Sequence, residues 1–338
     1  MVQDKKIARE GWVLLALFLG LLSVILVSFS IGRYSLPVPD ILHYIFTGKY
    51  NDNNLPILIN DIRLPRILAA VIAGRGLSVA GAAYQGLFRN PMVSPDILGV
   101  SQGAGFGAAL AILLSFGFAG IQLMAFVFGL VSVFLALSFT KIMRRGRDPI
   151  LMLVLSGMIV GSLFNALISL AKFVADSEYK LPDITFWLMG SLSSITIDRV
   201  KFVFPIVIIL LLLMYMLSWR LNILSFGEEE AQSLGINTGR LRVTIIACAS
   251  LLTATIVSIT GLIGWVGLII PHAARFLIGP NHRALIPASF LLGAAFLLLV
   301  DDLARSVSSL EIPLGIITSI IGAPLFFVIL IVSSKKTW

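Results

Sequence analysis

The chain has 338 residues, of which 58% are hydrophobic and only 12% are charged, and its mean hydropathy is +1.00. A soluble domain cannot cover so much apolar surface with so few polar residues, so the composition excludes an ordinary water-soluble protein. The net charge of +8 could indicate a nucleic-acid partner. Because the basic residues lie at the ends of apolar runs, however, it indicates orientation in a membrane and no nucleic acid.

The apolar runs are long and unbroken, which predicts membrane-spanning helices and not the short alternating strands of a barrel. We predict an all-α, polytopic integral membrane protein with about ten transmembrane helices in a single domain, residues 1–338. An uncleaved first helix is favoured over a signal peptide, because no small-residue cleavage site follows it. The predicted helices are 12–31, 64–87, 97–115, 121–143, 150–172, 200–219, 241–263, 264–278, 284–304 and 312–332.

The distribution of lysine and arginine predicts the orientation of these helices. More basic residues fall on one side of the membrane when the N-terminus is placed in the cytoplasm, and an even number of spans then returns the C-terminus there. The segment 63–91 and the segment 240–272 share a layout of arginines, then glycines, then a proline. With the predicted orientation they run in opposite directions, which indicates inverted-repeat-like halves of the kind common in transporters.

Sequence motifs give little support for an enzyme. The chain has no phosphate-binding P-loop, since its only Gly-Lys pair, Gly48-Lys49, is followed by tyrosine. His43, His272 and His282 are scattered without a second ligand at helical spacing, so no metal site is predicted. The single cysteine, Cys248, excludes a disulfide framework. We therefore predict no catalytic residue, no metal and no cofactor in this chain.

A polar stretch at about residues 221–240 interrupts the apolar pattern. Glutamates directly after Gly227 favour a helix start, Gly235 suits a helix end, and Asn237 or Thr238 could cap a second helix. This predicts two short helices on the membrane face. The stretch is either an ordinary connection or a knob that docks into a cytoplasmic partner. Its central residues are Gly227, Glu228, Glu229, Glu230, Ala231, Gln232, Ser233, Leu234, Gly235, Ile236 and Asn237.

This stretch resembles the coupling loop of the permeases of type II ABC importers, the iron-chelate, haem and cobalamin family. Further motifs of that family occur in order from about residue 30 to the C-terminus. They are Arg63-Leu-Pro-Arg66, Gly74, Gly81, Gln85, Arg89-Asn90-Pro91, Pro95, Leu98-Gly99, Gly103-Ala104-Gly105, Trp187-Leu-Met-Gly190-Ser191, Gly264-x-x-Gly267-Leu-Ile-Ile-Pro271-His272, Arg275, Asp301-x-x-x-Arg305, Pro313-x-Gly315 and Gly322-Ala323-Pro324.

The resemblance implies a homodimer in the bacterial inner membrane, with a translocation path along the dimer axis. It also implies two cytoplasmic ATPase subunits, which bind ATP and Mg, and a periplasmic substrate-binding protein. In such permeases Arg63, Arg66 and Arg305 pair with acidic residues of that binding protein, and exposed guanidinium groups suit this role. The alternative is that interfacial arginines anchor the chain at lipid headgroups.

A polar stripe runs along the fifth predicted helix. Ser162, Asn165, Ser169 and Lys172 recur at steps of three and four residues on an otherwise apolar helix. The family's fifth helix lines the path, so the resemblance implies that this stripe does. Hydrogen bonding between helices is an equally open interpretation, and Lys172 could also extend its amine to the interface.

Arg75 departs from the family pattern, in which a small residue follows Gly74. It lies about 18 Å along the helix from Arg63, given a rise of about 1.5 Å per residue. That depth is near mid-membrane, where a charge costs at least about 2.5–3.5 kcal/mol unless it is hydrated or paired. We expect Arg75 to face a wet path or a partner helix and to favour an anionic substrate.

The turn before the fifth predicted helix contains Arg147, Asp148, Pro149 and Ile150. The resemblance implies a cytoplasmic gate here, and a basic loop with a proline opening the helix is the alternative.

The substrate is the most open question. Relatives carry ferric siderophores, haem or cobalamin, and one branch resembles molybdate and tungstate carriers. The basic residues Arg75 and Lys172 favour an oxyanion. A gradient-driven secondary transporter is the alternative of a different class, and the missing coupling-ion carboxylates argue against it.

Overall fold

The computed structural model describes residues 2–32, 34, 36–48, 50, 54–143, 148–308 and 310–334, and within these ranges the chain is nearly all helical with no strand. The α-helices are α1 (Val2–Ser30), α2 (Val38–Thr47), α3 (Leu55–Ile57), α4 (Leu64–Leu87), α5 (Val100–Leu113), α6 (Phe118–Met143), α7 (Pro149–Val174), α8 (Lys180–Met189), α9 (Ile197–Leu224), α10 (Glu228–Ser233), α11 (Thr238–Thr260), α12 (Val266–Ile278), α13 (His282–Ser306) and α14 (Leu314–Ser334). A π-helical turn at Leu58–Arg63 joins α3 to α4, and a 3-10 turn at Pro95–Leu98 precedes α5.

The predicted all-helical membrane fold is confirmed. Each of the ten predicted apolar runs coincides with a helix, and eight helices in the described ranges are long and apolar enough to cross a membrane. Helices α5 and α12 are apolar but shorter. Helices α2, α3 and α8 were not predicted, because each has 10 residues or fewer and none forms an uninterrupted apolar run of spanning length.

Helix α4 forms the centre of the bundle, and glycines let its neighbours approach closely. A Cβ atom on Gly74 would lie 2.1 Å from the carbonyl oxygen of Gly293 in α13, and one on Gly81 would lie 1.8 Å from that of Gly267 in α12. Neither position has room for a side chain. Backbone-to-backbone packing of this kind is the usual way in which membrane helices associate, since lipid supplies no hydrophobic drive between them.

The segment between α11 and α12 breaks the helical path inside the bundle. Residues 261–265 are not helical, and both Gly261 and Trp265 have positive φ angles, of 69° and 71°. The predicted helix boundary at residue 263 was therefore three residues late, because Gly261 ends α11 with a left-handed backbone that glycine adopts readily. The first predicted repeat segment contains the continuous helix α4, and the second is broken, so the inverted relation of the halves stays a prediction.

Two ends of the bundle are used as landmarks below. The α10 end holds α10, the C-termini of α4, α9 and α12, and the first turn of α13, where the Asn222 side chain binds His282. The Arg66 end holds the beginning of α4 and the last turn of α13, where Arg66 binds Asp301.

Candidate docking sites and translocation path

The loop at the α10 end is built by helix-capping interactions. At the end of α10, the backbone N–H of Ile236 donates to the Ala231 carbonyl at 3.0 Å, and that of Gly235 donates to the Gln232 carbonyl at 2.9 Å. Gly235 has a φ of 78°, as this helix ending requires. The Asn237 side chain then accepts a hydrogen bond from the Arg240 N–H at 2.9 Å and caps α11.

The expectation of two short helices in this loop was wrong in one respect. Helix α10 is short, but the segment expected to form the second short helix is the first turn of α11, which has 23 residues. The reason is that Asn237 caps an apolar pattern which continues unbroken into the bundle.

Helix α10 is anchored on one face and exposed on the other. Ala231 is fully buried, and the Glu228 carboxylate forms an ion pair with Arg242 of α11. On the outer side, Phe226 is 77% exposed and Leu234 is 67% exposed, close to the exposed Glu229. A rigid knob with apolar and acidic groups on its surface therefore projects from this end.

The Arg66 end contains a network of buried charges. Arg66 Nε lies 2.9 Å from each carboxylate oxygen of Asp301, and Arg66 Nη1 lies 2.8 Å from Glu311. Arg305 forms an ion pair with Asp302 and lies 3.7 Å from Asp301. Arg63 lies beside Arg305. The Arg66 end therefore holds three arginines and three acidic residues.

The expectation that the arginines of this end are exposed was wrong. Arg63, Arg66 and Arg305 are only 4%, 7% and 6% exposed. Arg63 donates from its guanidinium to the backbone carbonyls of Phe29 and Tyr34, so its donors are used inside the chain. The physical reason is that a guanidinium near the end of a membrane helix is stabilised by carboxylates and carbonyls of its own chain. Their role in docking a binding protein stays a prediction.

The stripe on α7 lies on the open face of that helix. Ser162, Asn165 and Ser169 are exposed and Lys172 is partly exposed, whereas Gly161 and Phe164 on the other face are buried. The Ser169 hydroxyl donates to the Asn165 carbonyl of the same helix. Among the described residues the stripe forms no hydrogen bond to another helix of this chain, and its place in the path stays a prediction.

A groove lies between α8, α14 and the 261–265 break. It has a volume of about 450 Å³ and is lined by residues of α8, of the 261–265 break and of α14, including Met189, Gly264 and Ser319. Gly105 of α5 packs between the groove wall and the buried face of α7, since a Cβ atom there would lie within 3.1 Å of Leu188 and of Ile168. Irregular backbone inside a membrane protein is tolerated where it lines a cavity, as the 261–265 break does here.

Arg75 does not join the α7 stripe. Its guanidinium carbon lies 4.3 Å from the centre of the Phe290 ring on α13, and its Nε is buried without a hydrogen-bond partner in the described part of the chain. Helix α4 packs on α11, α11 on α5, and α5 on α7, so two helices separate Arg75 from the stripe. Arg75 thus contacts α13 and is also partly exposed, and its place in the path stays a prediction.

The turn before α7 forms a helix cap. The Asp148 side chain accepts a hydrogen bond from the Ile150 N–H at 2.8 Å, and Pro149 occupies the first turn. Arg147 lies outside the described residues. The role of this turn as a gate stays a prediction.

The acidic partners at the Arg66 end were not predicted from the sequence. Asp301 was noted only as part of a motif, and Asp302 and Glu311 were not considered. A usable signal was present, because two adjacent carboxylates near the end of an apolar helix must be paired or hydrated.

Comparison with known proteins matches residues 19–332 to the family model of the FecCD transport family. The chain belongs to the FecCD transport family.

Its relatives include the molybdate import system permease protein MolB of Haemophilus influenzae. The two chains are 44% identical over 320 residues, which cover 94% of this chain and 94% of MolB. The cobalamin import system permease protein BtuC of Halobacterium salinarum is 40% identical over 275 residues, which cover 81% of this chain and 73% of BtuC. A solved ABC transporter chain assigned to the metal-chelate type, in an inward-facing conformation, is 42% identical with a TM-score of 0.86, over 95% of this chain and 99% of that one.

The chain is accordingly a multi-pass membrane permease, the transport component of an ABC importer. Its relatives import metal chelates or metal oxyanions.

Proposed function

We propose that the chain forms a homodimeric translocation path for a metal oxyanion, molybdate or tungstate, in a bacterial inner membrane with both termini in the cytoplasm. ATP and Mg bind to two separate cytoplasmic ATPase subunits, and a periplasmic binding protein delivers the substrate. The 44% identity to a molybdate permease over 94% of both chains is the observation that carries this proposal.

The α7 stripe supports a second copy of the chain. Ser162, Asn165 and Ser169 are exposed on a helix of spanning length, and hydroxyl and amide groups are costly against hydrocarbon. A second α7 across an axis would enclose both stripes around water. Lys172, in the last turn, adds positive charge to the wall of such a path, which favours an anion.

The α10 knob is the proposed contact for the ATPase subunits. Phe226 and Leu234 offer apolar anchors, and the glutamates beside them set a polar rim. Because Ala231 is buried and Glu228 is paired with Arg242, a force applied to α10 is transmitted to α9 and α11. Movement of α11 would shift the 261–265 break that borders the groove.

Docking of the binding protein requires a change of partners at the Arg66 end. Glu311 is the more exposed partner of Arg66, at 29% of its side chain, whereas Asp301 is fully buried. An acidic residue of the binding protein would displace Glu311 and leave the Asp301 pair intact. Docking through Arg63 and Arg305 requires the same kind of exchange.

Substrate specificity is tested first on the cognate binding protein. Thermal-shift screening with molybdate, tungstate, haem, cobalamin and ferric siderophores is expected to stabilise that protein with the two oxyanions only. The selected ligand is then used in an uptake assay with the complete transporter. Stabilisation by cobalamin, haem or a siderophore without any response to oxyanions would contradict the oxyanion proposal, and would leave the importer assignment intact.

A further inference from the structure

A cavity of about 400 Å³ lies at the α10 end of the bundle, where α4, α9, α12 and α13 meet. Its wall is largely apolar but carries basic and polar side chains, and within the described part of the chain it includes no aspartate or glutamate. This cavity is separate from the α7 stripe and lies at the opposite end from Arg66. The residues that matter for its chemistry are Gln85, Gly86, Arg89, Asn90, Arg275 and His282.

Two guanidinium groups in this wall have no carboxylate partner among the described residues. Arg275 Nη1 donates to the Gln85 side-chain oxygen at 3.2 Å, and its guanidinium makes no other hydrogen bond among the described residues. Arg89 follows the end of α4 and is exposed. This contrasts with the arginines of the Arg66 end, of which Arg66 and Arg305 are paired with carboxylates of the chain.

The backbone at Arg89 is unusual for an arginine. Its φ is +49°, and it occupies the position after a helix end at which glycine is favoured, with the Asn90 N–H bonded to the Gln85 carbonyl at 3.1 Å. A residue with a Cβ atom costs free energy in this conformation. The chain nevertheless places a basic side chain there, at the mouth of the cavity.

His282 supplies an independent indication of a ligand. It is only 4% exposed, and its Nε2 has no hydrogen-bond partner among the described residues. The Asn222 side-chain oxygen accepts from the His282 backbone N–H at 2.7 Å and lies 2.9 Å from Nδ1, so Nδ1 carries the proton. Nε2 packs against Gly86, next to the cavity, and is an unsatisfied buried group of a kind that is rare in folded proteins.

We propose that this cavity binds a phosphate-type tetrahedral oxyanion through Arg89, Arg275 and His282. Guanidinium groups match the paired oxygens of such an anion. The neutral His282 has an acceptor nitrogen at Nε2, which suits a hydroxyl of a hydrogen phosphate. Ser225, which follows α9 and precedes α10, also lines the cavity. A bound anion would therefore lie close to the start of α10. The proposal does not depend on which substrate the transporter carries.

The same phosphate chemistry has two sources, a free anion and the headgroup of an anionic phospholipid. The test uses the transporter assembled with its ATPase subunits in nanodiscs of neutral phosphatidylcholine. Binding of radiolabelled inorganic phosphate is measured for the wild type and for Arg275→Gln, Arg89→Gln and Arg283→Gln. Arg283 is the matched control, because it is exposed beside His282 but does not line the cavity.

We expect phosphate binding to be at least about tenfold weaker in Arg275→Gln and in Arg89→Gln, because each variant loses a charge-assisted hydrogen bond. Phosphate binding is expected to be unchanged in Arg283→Gln. Arg275→Lys keeps the charge and is expected to retain most of the binding. Gly86→Ala is a second, independent variant, since its Cβ would lie 2.4 Å from His282 Nε2, and it is expected to weaken binding with Arg275 intact. Thermal unfolding of each variant verifies that it is folded.

A second arm uses nanodiscs that contain phosphatidylglycerol, and native mass spectrometry counts the retained lipid. Retention in the wild type and in Arg283→Gln, but not in Arg275→Gln, supports the site and identifies a lipid headgroup as its ligand. Binding that falls equally in Arg275→Gln and Arg283→Gln would overturn the proposal. So would the absence of both inorganic phosphate and phosphatidylglycerol from the wild-type protein.

Discussion

Asp301→Asn removes one charge from the buried network at the Arg66 end. Asp301 is fully buried, and both of its carboxylate oxygens lie 2.9 Å from Arg66 Nε. Removing one partner of a buried ion pair costs roughly 3–5 kcal/mol, because the other charge stays buried without compensation. Since Arg66 keeps Glu311 at 2.8 Å, we expect a loss near the lower limit, about 3 kcal/mol of unfolding free energy.

The matched control is Asp198→Asn. Asp198 lies 3.9 Å from Lys201, but their side chains are 88% and 72% exposed, so the loss is expected to stay below about 1 kcal/mol. Reversible unfolding of the purified permease in mixed detergent micelles, titrated with a denaturing detergent, measures both variants. Equal losses for the two variants, or a loss below about 1 kcal/mol for Asp301→Asn, would refute the reasoning that the network is a buried, charge-balanced unit.

Three further changes test other parts of the account. Gly81→Ala places a Cβ atom 1.8 Å from the Gly267 carbonyl oxygen and should lower the unfolding free energy by about 3 kcal/mol in the same assay. The control is Gly20→Ala, whose Cβ has no atom within 4 Å and which should not destabilise the protein. Equal effects of the two variants would contradict the tight contact between α4 and α12. Asn237→Ala removes the cap of α11 and should cost about 1 kcal/mol in the unfolding titration, and an unchanged midpoint would show that the cap is dispensable. Leu234→Ser removes an exposed apolar side chain next to α10 and should lower ATP-driven uptake at least about tenfold, because the loss of an interface hot spot usually has an effect of this size. Its thermal unfolding should not change. Full uptake would exclude this side chain from the ATPase contact.

The helices of this fold were predictable because a membrane imposes a length on each apolar run. The stretch 149–174 shows this, since a run of spanning length can satisfy its backbone only as a helix. The end of α10 was also predictable, because Gly235 and Asn237 are local signals that act within one helical turn.

The Arg66 end was not predictable in the same way. Arg66 and Asp301 are 235 residues apart, and nothing local to either residue identifies the other. Position at a membrane surface predicted exposed guanidiniums, whereas the fold brings carboxylates to them and buries both. The surroundings of Arg75 depended likewise on how α13 packs against α4, which places Phe290 beside it.

The central claim is that this chain moves its substrate only when separate subunits hydrolyse ATP. The direct measurement is molybdate uptake into proteoliposomes that contain the permease with or without its ATPase subunits, with the binding protein and ATP supplied. We expect uptake that requires both the ATPase subunits and ATP and that persists after ionophores collapse every ion gradient. Uptake that continues without the ATPase subunits and stops when the gradients collapse would contradict the central claim and would identify a secondary transporter.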